Sequence, residues 1–387
     1  MSCASDGFCL SVRVVGSWGG VSYKSLLLDV SNAASSMPKV APEPFSFTSF
    51  TKPVATSPPL SAYDPAYIAR KKEVGEKILK LKDGRQLAYF TDGDSSDPAV
   101  LCFHSLGQSK MEWLFPKPLP GIFLIAVDRQ GHGSSSPYPP GNPVTNPRKF
   151  SDDMHEYVEL LEALNVQEFY VTGSSMGGSW ALAIAAALPG RVLACAPISA
   201  VADPRHPSVA KKERGPLCGD AGTLTLSIGE PGCAGGFMRA MINPYFKVKD
   251  TSKDPGFARQ YVSYFKYGDK SGRKRGPFDA MDADPFFVSA LLDSYLHGVN
   301  SNHCGVLELI RTFGKQGWGY DPATITCPTF IYHGKKDVET PVVCSEHHHK
   351  LVKGSELIVM PEIGHVTILL KAEQIILALV QKKSISA

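Results

Sequence analysis

The stretch "FYVTGSSMGGSW", residues 169–180, decides how the rest of the chain is read. Phe169 to Thr172 are strand formers, and Gly178 to Leu188 is a helical run of small and apolar residues stopped by Pro189-Gly190. Between them lie two serines, with Gly173, Gly177 and Gly178 around them. The glycine register distinguishes the serines. Around Ser175 the flanks are Gly173 and Gly177, the pattern G-x-S-x-G, whereas Ser174 is flanked at the same distances by Thr172 and Met176. A sharp strand-to-helix turn brings the two elements so close that a side chain two places either side of the central residue would collide. Glycine is therefore demanded there, and the central serine is expected in a strained conformation.

Working outward, the strands and helices alternate. Ile78–Leu81 and Gln86–Phe90, joined through Asp83-Gly84, read as a hairpin. Ala99–Phe103 and Ile122–Val127 are unbroken apolar runs, as expected of strands covered on both faces. Met154, Tyr157, Val158, Leu161 and Leu164 recur at helical spacing before the serine strand. Thr329–Tyr332 and Leu357–Met360 read as two further strands, and Gln374–Val380 as a closing helix. The rhythm predicts an α/β fold with a mostly parallel central sheet flanked by helices. Between residues 202 and 319 it lapses into a segment rich in Gly, Pro, Lys and aromatics. The expected organisation is an arm over 1–65, a first core part over 66–201, an inserted and mainly helical lid over 202–319, and a second core part over 320–387.

Composition narrows the function. A net charge of +3 is too small to argue for nucleic acid or a membrane surface, and no apolar stretch approaches the roughly 18 residues of a membrane span. The nine cysteines contain no C-x-x-C pair, so neither a disulfide framework nor a zinc site is indicated, and a reducing compartment is the simplest reading. No cofactor or metal is expected. Residues 1–62 hold thirteen serines against only three acids and show no helical or strand period, which reads as a disordered arm. The same composition suits plastid or mitochondrial import, or a secretory leader; otherwise the expected location is the cytoplasm.

A serine hydroxyl is a poor nucleophile at neutral pH and needs a histidine to take its proton and a carboxylate to fix the histidine tautomer. In sheets of this kind the acid and then the histidine follow the serine, each on a loop after a strand. "IYHGKKDVETP" supplies Asp337 and "IVMPEIGHVTILL" supplies His365. Asp203, beyond the apolar run Val192–Val201, is the competing acid. His347-His348-His349 suggests a metal tract, but lacks spaced partner ligands and reads as a solvated helix face; Arg273-Lys274-Arg275 reads as solvated surface. The backbone N–H of Met176, at the helix start, is expected to be one donor to a developing oxyanion.

The segments "VLCFHSLGQS", "IAVDRQGHGSSS", "VTGSSMGGSWAL", "PTFIYHGKKDVETP" and "IVMPEIGHVTIL" together resemble the α/β-hydrolase fold superfamily, in its serine-nucleophile branch of esterases, lipases and peptidases. The resemblance covers about residues 77–200 and 320–380. It implies that the Leu106 N–H is the second oxyanion donor and that His104 and Asp128–Gly133 shape neighbouring loops. It implies a serine hydrolase acting on a small-molecule ester or amide through an acyl-enzyme. The alternative is a non-catalytic ligand-binding or signalling protein that retains the fold. Ser105 departs from the family's usual His-Gly, which puts the geometry of the Leu106 donor in question. In the insertion, Tyr245, Phe246, Phe265, Phe286 and Phe287 are candidates for lining an apolar pocket, or for the lid's own core.

Overall fold

The computed structural model describes residues 63–136, 149–210, 217, 284–299, 317–337 and 339–385, and within 1–62 only a short antiparallel pair, Ser17–Trp18 with Val21–Ser22. Eight strands form one sheet: β1 (Lys77–Lys80), β2 (Gln86–Asp92), β3 (Ala99–Phe103), β4 (Phe123–Val127), β5 (Phe169–Ser174), β6 (Val192–Ile198), β7 (Phe330–Gly334) and β8 (Glu356–Met360). Their spatial order is β1-β2-β4-β3-β5-β6-β7-β8. Pairing is antiparallel at β1·β2 and β2·β4 and parallel from β4 to β8. The central strands β3, β4 and β5 are buried at every position, which is why β3 and β4 are apolar without alternation.

Helices cover both faces. On one side, Leu101, Phe103, Ile125, Val127 and Val171 meet α2 (Met154–Ala163) and α3 (Met176–Ala187). Trp180 of α3 is fully buried there, 6.2 Å from the Phe103 ring and 4.6 Å from Phe150 between ring centroids. On the other side, Val100, Cys102, Leu124, Ala126 and Tyr332 pack with Tyr67 of α1 (Pro65–Val74) and with Ile375, Ile376 and Leu379 of α6 (Ala372–Val380). At about 25 cal/mol per Å² of apolar surface, these two layers supply the main driving force for folding.

Within the stretch 202–319 expected as an insertion, the described residues include α4 (Pro285–Val299). Phe286 packs into the second core layer with Tyr67, ring centroids 5.5 Å apart. Phe287 and Val288 instead pack beside Leu291 and Val366. Tyr245, Phe246, Phe265 and Arg273-Lys274-Arg275 lie outside the described residues. The triple histidine falls in α5 (Val342–Leu351), and its middle member corrects the solvated-face reading. His348 is buried with Cys344, one turn before it, and its Nε2 lies 2.9 Å from the Val201 carbonyl. No described helix is long and apolar enough to cross a membrane.

Candidate active site at the ends of the parallel strands

Ser175 sits between the end of β5 and the first residue of α3, with φ 53° and ψ −119°. This left-handed conformation is costly for a residue with a β-carbon and is maintained only where the surroundings enforce it. The enforcement is visible. A β-carbon at Gly173 would run into the Gly177 carbonyl, and one at Gly177 into the carbonyls of Phe103 and His104. At Gly178 it would come within 2.7 Å of the Ala200 β-carbon. The Ser175 N–H donates to the Ile198 carbonyl at 2.8 Å, and its own carbonyl accepts from Gly178 N–H at 3.0 Å. Ser175 is buried, with 8% of its surface exposed.

The loop after β7 carries Asp337 and the loop after β8 carries His365. The two loops are held together through the backbone, where Lys335 N–H donates to Met360 and Lys336 N–H to Ile363, at 2.8 and 2.9 Å. Gly334 permits this, because a β-carbon there would meet the Ile363 carbonyl. His365 Nδ1 donates to Asp337 Oδ2 at 2.6 Å. The other carboxylate oxygen accepts from the N–H groups of Glu339 and Thr340 at 2.9 and 2.8 Å. Burial pushes the Asp337 carboxyl up, but His365, His333 and these N–H groups outweigh it and hold the acid below its ordinary range. Burial likewise works to lower His365, and the Asp337 carboxylate reverses the sign, so the imidazole is held above its ordinary 6.5. With Nδ1 committed to Asp337, Nε2 is left as the proton acceptor. Among the described residues no hydrogen bond joins Ser175 to His365; contacts of this kind tighten when substrate binds.

Asp203 is engaged elsewhere. Its carboxylate accepts from the N–H groups of Arg205 at 2.8 Å and Trp318 at 3.1 Å.

The loop after β3 runs through Ser105 and Leu106 beside the elbow. The Ser105 carbonyl accepts from His104 Nδ1 at 2.8 Å, from Gln108 N–H at 3.3 Å and from Arg129 Nη2 at 3.4 Å. The Arg129 guanidinium also donates to the His104 carbonyl and lies 5.9 Å from the centroid of the Trp180 ring. A planar trans peptide points the Leu106 N–H away from the Ser105 carbonyl, so the donors on that carbonyl fix the direction of the N–H. Ser105 is the departure from the family pattern, and its hydroxyl is used: it lies 2.7 Å from Ser174 Oγ and 3.2 Å from Glu112 Oε1. Glu112 itself passed unnoticed in the sequence, where it is one acid between Met111 and Trp113.

Farther out, Glu76, Asp128 and His297 bring three potential metal-ligand atoms within 4.8 Å of one another. The fully buried ammonium of Lys110 bonds to both carboxylates, so this cluster already holds its cation.

A family model described as the alpha/beta hydrolase fold matches residues 98–218, from the run into β3 to beyond β6. The chain is 31% identical over 122 residues to a Bacillus subtilis protein named for 2-succinyl-6-hydroxy-2,4-cyclohexadiene-1-carboxylate synthase, covering 31% of this chain and 43% of the relative. It is 29% identical over 125 residues to Lipase 1 of Psychrobacter immobilis, covering 32% of this chain and 38% of the lipase. The chain thus matches less than half the length of these curated relatives. A solved esterase from Rhodococcus, RhEst1, superimposes with a TM-score of 0.54 at 18% identity, covering 80% of this chain and 99% of the esterase.

Proposed function

We propose that this chain, which has the α/β-hydrolase fold, is a serine hydrolase that cleaves a small-molecule ester through an acyl-enzyme. The observation that carries the reading is the pairing of a strained elbow serine with a buried carboxylate–histidine couple on the loops after β7 and β8. Ser175 Oγ attacks the ester carbonyl while His365 Nε2 takes its proton. The tetrahedral oxyanion is met by the N–H groups of Met176 and Leu106, the former reinforced by the N-terminal end of α3. Collapse breaks the carbon–oxygen bond, and the alkoxide leaves as an alcohol with the proton from His365. Water, deprotonated by His365, then releases the acid and restores Ser175. Asp337 stays ionised throughout and stabilises the imidazolium. The similarity to a lipase supports an ester as the substrate.

Turnover of p-nitrophenyl esters of graded acyl length, set against matching anilides, tests the ester reading. Hydrolysis confined to the esters is expected; cleavage of the anilides at comparable rates would move the substrate class to amides.

The pH profile follows from the histidine. The base must be neutral, so kcat/KM is expected to rise with pH through a pKa above the ordinary 6.5, because Asp337 favours the imidazolium. Asp337→Asn removes that charge and leaves burial to dominate, which moves the acid limb to lower pH. Initial rates between pH 5 and 9 for both proteins check the direction.

A further inference from the structure

Glu112 lies on the 3₁₀ turn Lys110–Trp113, between the first and second strands from which the site is built, and is 8% exposed. Its Oε2 accepts the Ser105 N–H at 3.0 Å. Its Oε1 accepts from Ser174 Oγ and lies 3.2 Å from Ser105 Oγ, and the two hydroxyl oxygens are 2.7 Å apart. One carboxylate therefore touches both the loop that presents Leu106 and the residue immediately before the nucleophile.

We propose that Glu112, with the hydroxyls of Ser105 and Ser174, is a positioning device that fixes the spacing between the two oxyanion donors, Leu106 N–H and Met176 N–H. The proposal rests on the serine-hydrolase reading. A buried carboxylate is expensive to maintain and is retained only where its hydrogen bonds are made. Burial pushes the Glu112 carboxyl up, against the pull of the two serines, the Ser105 N–H and Arg129. The contacts are specific in direction. Ser105 is pinned at its N–H by Glu112 and at its carbonyl by His104, Gln108 and Arg129, so the peptide joining it to Leu106 has little freedom to rotate. Ser174 carries the same carboxylate to the elbow, where Met176 follows two residues later. An oxyanion donor must stand about 3 Å from where the charge develops, so a loop free to drift by a fraction of that distance loses transition-state stabilisation without losing substrate. The arrangement also accounts for serine at position 105: its hydroxyl is the middle of the bridge.

The test uses the full chain and a short-chain p-nitrophenyl ester, with fluorophosphonate uptake and melting temperature measured in parallel. Glu112→Ala is expected to lower kcat by about a hundredfold, the scale of one oxyanion donor, with KM changed less than threefold. Glu112→Gln is expected to restore kcat to within about tenfold of the natural enzyme, because the amide oxygen still accepts the Ser105 N–H and its NH₂ reaches the hydroxyl oxygens. If Glu112→Ala does not fold, Ser174→Ala removes one end of the bridge with little loss of volume, and about a tenfold fall in kcat at unchanged KM is expected, below the full loss of a donor. An unchanged kcat in Glu112→Ala, or in Ser174→Ala where that variant stands in for it, overturns the proposal. So does a loss in Glu112→Ala that Glu112→Gln does not rescue, since that pattern belongs to packing. A natural protein that neither turns over ester nor takes up fluorophosphonate overturns the serine-hydrolase reading itself, and is distinguished by needing no variant.

Discussion

Replacing Ser175 with alanine is expected to lower ester turnover by about a millionfold while leaving the melting temperature nearly unchanged. The substitution removes a single oxygen that forms no part of the elbow's support. The turn is held by the glycines at 173, 177 and 178 and by backbone hydrogen bonds to Ile198 and Gly178, all of which alanine preserves. The positive φ of 53° is strained for serine and alanine alike, so the change does not relieve it. Stopped-flow and steady-state rates on the best ester of the graded series, beside a thermal melt, check both halves. A residual rate above a hundredth of the natural one would show that another group attacks the substrate.

The second large effect is at the acid. Asp337→Asn is expected to cut kcat by about ten-thousandfold with the fold intact. The two carboxylate oxygens have different duties here. One accepts the Glu339 and Thr340 N–H groups, and the asparagine carbonyl takes its place. The amide NH₂ must then face His365, where it donates to Nδ1 and forces the proton onto Nε2. The imidazole can no longer accept from Ser175. Among the described residues the Asp203 carboxylate accepts from the Arg205 and Trp318 N–H groups and makes no hydrogen bond to His365, so Asp203→Asn is expected to leave kcat within about tenfold, well short of a tautomer loss. Steady-state kinetics of the two variants side by side, with a melt of each, decide between the acids; the opposite ranking would transfer the role to Asp203.

What could be read from the sequence was whatever local sterics or polarity dictate. The collision of a β-carbon at Gly173 with the Gly177 carbonyl lies within five residues of chain, so the glycine pattern around Ser175 is readable locally, and the buried strands β3 and β4 declare themselves by unbroken apolar runs. The elbow helix begins at Met176, two residues before the apolar count suggested, because the turn itself supplies the first helical residues. Helix α1 was missed. Its apolar face is short, and the only clear signal was Asp64 before Pro65, where the carboxylate caps the Ala66 N–H at 2.7 Å. His348 was misread because three identical polar residues conceal a facing: it shares its side of α5 with Cys344, and both are buried. Glu112 was illegible for a deeper reason. Its partners Ser105 and Ser174 come from the ends of two different strands, so its role depends on β3 and β5 being neighbours in the sheet.

The loop after β3 also contacts α4, in the stretch expected as an insertion. Ser294 of α4 exchanges hydrogen bonds of 2.9 Å with both backbone groups of Ser109, and Gly298 lies against the Gln108 carbonyl too closely for any β-carbon. The loop that presents Leu106 is thereby backed by a helix that the sequence placed outside the core.

Treating the full chain with a fluorophosphonate and mapping the adduct by peptide mass spectrometry tests the central claim most directly. One adduct per chain, on the peptide containing Ser175 and fragmenting to that residue rather than Ser174, is the predicted result. An unmodified chain, or an adduct on any other residue, would contradict it.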